Sequence, residues 1–123
     1  MSYTIQMQEW VTVRGATSGI IVLQPEIEYL DISPFKDFVG YVEVAEIVAS
    51  ATVKVQTAPA KEEAYFADLF TVSATGVSAN VVRYSSASPA PARWLRWKCS
   101  SGSASWSITF RIHVNANPTR SGP

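Results

Sequence analysis

Residues 104–115 read A-S-W-S-I-T-F-R-I-H-V-N, with Trp106, Ile108, Phe110, Ile112 and Val114 on one parity and Ser107, Thr109, Arg111 and His113 on the other. A strict two-residue alternation rich in β-branched and aromatic residues describes a strand with one dry face and one wet face. The same period recurs along most of the chain. In residues 3–13 Tyr3, Ile5, Met7, Val11 and Val13 alternate with Thr4, Gln6, Gln8 and Thr12. Trp10 falls out of phase, which places a bulge near Glu9 and Trp10.

Further strands are expected over Ile20–Leu23, Phe38–Val48, Ala51–Thr57, Phe66–Val72, Asn80–Tyr84 and Arg93–Cys99. The short link between the Phe38 and Ala51 segments predicts an antiparallel hairpin. Residues 26–37, with Ser33-Pro34 as a bend, read as a connection, Ala58–Glu63 as a loop or single helical turn, and Ser85–Pro91 as a small-residue and proline loop. No segment holds a 3.6-residue period over three turns. About seven to eight short strands separated by turn signals predict an all-β fold, an antiparallel β-sandwich or jelly roll. Its expected core holds Val53, Val55, Leu95, Trp97, Ile108, Phe110, Ile112 and Val114.

A chain of 123 residues is the size of one domain, expected here over 1–116, and the 117–123 stretch N-P-T-R-S-G-P lacks apolar residues and reads as a flexible tail. Ten basic and ten acidic residues balance, and the basic ones are dispersed from Arg14 to Arg120, which argues against a nucleic-acid partner. The single cysteine, Cys99, excludes an intramolecular disulfide. The N-terminal ten residues carry no secretory pattern, and the densest apolar run, Phe38–Ala49, is broken by Glu43 and Glu46 and falls short of the ~20 residues a membrane-spanning helix needs. The expected partners therefore include no membrane, and synthesis is expected in a cytoplasm.

Chemistry-bearing groups are few. His113 lies on the polar parity of the last strand, where a surface histidine outweighs an acid-base role that would need a partner in a pocket. Glu26, Glu28 and Asp31 form a local acidic group that more commonly solvates a loop than binds calcium or hydrolyses a glycoside. No phosphate loop, dinucleotide fingerprint or nucleophile elbow occurs. The expectation is a protein that is not an enzyme, with no catalytic residues, no metal site and no cofactor.

One segment carries local specificity. In Ala92–Cys99, A-R-W-L-R-W-K-C, Arg93, Leu95, Trp97 and Cys99 share one face and Trp94, Arg96 and Lys98 the other. Trp94, flanked by Arg96 and Lys98, is the candidate binding surface, with Tyr84 and Trp10 as further aromatic candidates. The bland alternative has Trp97 and Trp106 in the core, Trp10 covering one end, and the Arg96 guanidinium stacked on Trp94.

The segments F-V-G-Y-V-E-V-A-E-I (38–47), A-T-V-K-V-Q-T-A-P-A-K-E-E-A-Y-F (51–66), A-R-W-L-R-W-K (92–98) and W-S-I-T-F-R-I-H-V (106–114) resemble small β-sandwich virion proteins of tailed bacteriophages and prophages. The resemblance spans roughly residues 30–116 and implies a noncatalytic subunit present in many copies: a capsid decoration or cement protein, or a small tail component. Its implied partners are other virion proteins and like subunits in a homo-oligomer, and its implied location is the virion. The A-R-W-L-R-W strand is also similar to a strand of discoidin-like carbohydrate-binding jelly rolls, in which Arg93 would fix a neighbouring loop. That likeness implies a glycan partner, held by Trp94 or Tyr84 beside Arg96 and an acid from Glu26 to Asp31.

Overall fold

The structure is a computed structural model that describes residues 3–17, 19–32, 35–76, 78–84, 92–103 and 105–118. Among these, nine strands form: β1 (Tyr3–Gly15), β2 (Ile21–Leu23), β3 (Leu30–Asp31), β4 (Phe35–Val48), β5 (Ala51–Ala58), β6 (Ala67–Ala74), β7 (Ser78–Tyr84), β8 (Trp94–Ser100) and β9 (Trp106–Pro118). The only helical pieces among the described residues are 3-10 turns at Glu26–Glu28 and Glu63–Tyr65. The strands make two antiparallel sheets, ordered β1-β9-β4-β7 and β2-β8-β5-β6, with β3 also pairing β8.

The pairing has a simple logic. β1 pairs β9, β2 and β3 pair β8, β4 pairs β7, and β5 pairs β6. The first half of the chain thus meets the second half in reverse order, and the resulting ribbon is closed by β4 on β9 and β5 on β8. This is a jelly roll, with β2 and β3 sharing one edge position.

The sheets bury the predicted parity. Val53, Val55, Leu95, Trp97, Ile108, Phe110, Ile112 and Val114 are all buried, and the rings of Trp97 and Phe110 meet edge to face at 5.2 Å. Trp106 joins them. Trp10 is explained by two bulges: β1 shifts register between Gln6 and Gln8 and again between Gln8 and Val11. Each inserts one residue, so the parity set by Met7 is restored at Val13, and both side chains are buried.

Several expectations are corrected. β4 and β5 are not a hairpin, because they belong to different sheets. Ala49, at φ 64°, turns the chain across from one sheet to the other, and the Ser101 hydroxyl donates to the Ser50 carbonyl to hold the crossing. The 26–37 connection contains the Glu26–Glu28 turn, β3 and the start of β4. Asn117 and Pro118, expected in the tail, belong to β9 opposite Asp37 and Phe35. The rest of the tail and the 85–91 loop lie outside the described residues.

Candidate functional site

β8 keeps its predicted alternation: Leu95, Trp97 and Cys99 are buried between the sheets, while Trp94, Arg96 and Lys98 face outward. Outward is not the same as exposed. Arg96 is 2% exposed because the segments around both 3-10 turns cover this half of the outer face. Its Nε donates to Gln56 Oε1 at 2.9 Å, Nη1 donates to Tyr29 Oη at 3.1 Å and Glu63 Oε1 at 3.0 Å, and Nη2 donates to Glu63 Oε2 at 2.7 Å. The guanidinium lies over the Phe66 ring at 3.7 Å, and Phe66 meets Tyr29 edge to face. Arg96 therefore stacks on Phe66 and not on Trp94 as expected, and the planar fork that suits a carboxylate is spent on holding two loops to the sheet. The hydrogen bond from Arg96 holds the Glu63 carboxyl below the usual range, aided by the charge of Arg96 and opposed by desolvation.

Trp94 is half-buried, with Lys61 Nζ 4.3 Å and the Arg93 guanidinium 4.8 Å from its ring. These cations occupy the surroundings of the ring that a stacked sugar would need. Arg93 in turn donates to Asp31 Oδ2 from Nε at 3.3 Å and Nη2 at 3.2 Å, and its carbonyl accepts from Ile32 N. Arg93 thus ties down the neighbouring β3 segment.

Lys98 stands beside Lys54 on β5 and Leu23 on β2. Lys54 pairs with Asp68 at 3.2 Å, and Asp68 also accepts from Gln56 Nε2 at 2.8 Å. The Gln56 hydrogen bond, then that of Lys54, lowers the Asp68 carboxyl against desolvation. The backbone of Tyr84 lies opposite Phe38 at the end of β7, and its side chain is outside the described part.

Trp10 sits elsewhere, on the outer face of the first sheet. The residue is 42% exposed and its ring lies against the Arg111 guanidinium at 4.7 Å, which Glu43 grips with both carboxylate oxygens at 3.1 and 3.0 Å. Tyr41 is exposed on the same face, in register with the half-buried His113. The five candidates are therefore not one site: Trp94, Arg96 and Lys98 share the outer face of one sheet, and Trp10 decorates the other. Glu43 and Arg111 escaped sequence reasoning, although each occupies the polar parity of an otherwise apolar strand.

A groove of about 350 Å³ opens between β1 and β2, lined by Val11, Val13, Val22, Leu23 and Trp97 with Gln8, Arg14 and Glu28 at its polar positions. Gln8 Oε1 accepts from Trp97 Nε1 at 2.8 Å, so this polar group is engaged in structure. Buried Gln24 is likewise committed, its Nε2 donating to the Met7 and Glu28 carbonyls and its Oε1 accepting from Trp97 N. Among the described residues no group of three or more His, Cys, Asp or Glu side chains is placed to hold a metal ion. Cys99 is buried, and desolvation pushes its thiol up to about 12.

No family model matches the chain, and no curated protein matches it. A similar solved structure is a chain from work on Bacillus endospore appendages, described as a novel family of disulfide-linked pili. The likeness has a TM-score of 0.49 and 11% identity, and covers 97% of this chain and 92% of that one.

Proposed function

We propose that this chain is a noncatalytic structural subunit that assembles with like copies. The observation that carries the reading is the apolar surface left on the outside of a well-filled sandwich. Ile20, Ile21, Leu23 and Ile27 are exposed along the β2 edge and the turn after it, while the buried Gln24 and Arg96 are spent on holding loops and strands. Exposed apolar patches of this kind mark interfaces more often than catalytic clefts.

In its finer form the reading is a capsid decoration or cement subunit of a tailed phage, located in the virion, which rests on the sequence resemblance above. The test is electron microscopy of capsids incubated with the purified chain. Saturable, symmetric decoration is expected; absence of binding to any shell, with a monomer at high concentration, overturns the reading. Glycan binding, the rival role, is supported less well because cations flank the Trp94 ring.

A further inference from the structure

We propose that the open half of the second sheet's outer face docks on the same face of a second copy of this chain. The inference rests on the structural-subunit reading and names the surface that would carry it. The two halves of this face differ sharply. Around Arg96, loops cover the sheet; toward Ser100, the rows Leu23–Lys98–Lys54 and Ile21–Ser100–Thr52 run across β2, β8 and β5.

Directly opposed residues of antiparallel strands put their side chains on one face, so Leu23, Lys98 and Lys54 stand side by side. Two lysines in that relation repel. Lys54 has Asp68 as counter-ion, whereas Lys98 has no ion pair among the described residues. Beside them Ile21 and Leu23 are 55% and 37% exposed. The face offers an apolar ridge next to two lysines, of which Lys98 makes no direct ion pair among the described residues although its charge reaches Glu63 and Asp68.

The complementary shape is on the same chain. In the Glu26–Glu28 turn, Ile27 is 89% exposed and lies between two carboxylates, neither in an ion pair among the described residues. The turn is preformed: the Glu28 carbonyl accepts from Gln24 Nε2 at 2.9 Å, and the Glu26 carbonyl accepts from Lys61 Nζ at 3.3 Å. An apolar knob flanked by acids fits an apolar ridge flanked by lysines. Around a two-fold axis each copy gives its turn to the other's ridge and receives one in return, so each contact is made twice.

Sedimentation velocity of the full chain over a concentration series tests this, with Lys98→Glu, with Glu26→Lys plus Glu28→Lys, and with all three combined. The wild type is expected to dimerise. Each reversal alone weakens the dimer by about tenfold or more, and the triple variant recovers most of the loss. Thermal melts by circular dichroism check that each variant is folded. A dimer indifferent to every reversal overturns this surface and leaves the subunit reading standing. A monomeric wild type that still decorates capsids overturns the second copy as occupant. A wild type that neither self-associates nor binds a shell overturns both readings.

Discussion

Arg96 and Glu63 form a forked ion pair whose two ends lie in different surroundings, the Arg96 side chain 2% exposed and the Glu63 side chain 72%. Breaking a fully buried pair costs about 3–5 kcal/mol, and exposed pairs are worth about 0–1 kcal/mol. Water at the Glu63 end places this pair between those limits. A double-mutant cycle of Arg96→Met and Glu63→Gln should give a coupling of about 1–3 kcal/mol. The same cycle on Arg93 and Asp31, both substantially exposed, should give less than about 1 kcal/mol. Equal couplings in the two cycles would contradict the covered position of Arg96.

The same network makes the fold acid-sensitive. Glu63 and Asp68 both titrate below their ordinary values of 4.5 and 3.8, Glu63 chiefly through Arg96 and Asp68 chiefly through Gln56. A carboxyl with a depressed folded pKa takes up its proton more readily when unfolded. Its stabilisation is therefore complete above the unfolded value and is lost as pH falls through the folded one. The melting temperature is expected to drop between about pH 5 and pH 3, and the double variant Glu63→Gln plus Asp68→Asn should be less stable at neutral pH but flatter across that window. An unaltered slope in the variant would place the acid response elsewhere.

How far the sequence reaches is clearest at three places. β8 and β9 are legible because alternation reports which side chains share a face, and Phe110 and Trp97 are buried as that alternation requires. Sheet partnership is another matter. The link between Val48 and Ala51 predicts a hairpin, but a two-residue link reads alike whether the chain folds back or crosses over, and the partners that decide it, β7 and β9 for β4, are distant in sequence. Arg96 shows the third limit. Parity places it outward, yet whether outward means wet depends on Tyr29 and Glu63, which belong to connections with no periodic signal, and on Phe66, which reads as the first residue of a strand but lies just before β6.

Where β1 ends, Gly15 lies against Trp106 beside an open groove that both residues line. A methyl group at Gly15 would overlap the indole of Trp106, with Cζ2 at 2.6 Å and Nε1 and Cε2 nearer still, whereas at Gly102 nothing lies within 4 Å. Gly15→Ala should therefore cost about 1–3 kcal/mol by overpacking, and Gly102→Ala should stay within about 0.5 kcal/mol of the wild type. Urea denaturation midpoints compare the two directly. Similar midpoints would show that Trp106 does not rest on the Gly15 backbone.

Cys99 decides whether any assembly is covalent. It is buried opposite Val22 and Val53, and burial pushes its thiol up to about 12, so near neutral pH the reactive thiolate is scarce and shielded. A thiol reagent such as dithionitrobenzoate should leave the folded protein unlabelled over hours and react within minutes in denaturant. Oligomers formed by the native chain should survive reducing agent unchanged, because the only cysteine lies inside the sandwich and linkage between copies must come from surface contacts. Fast labelling of the folded chain, or loss of oligomers on reduction, would mean that β8 opens at its Cys99 end and that the apolar β2 edge is not what joins the copies.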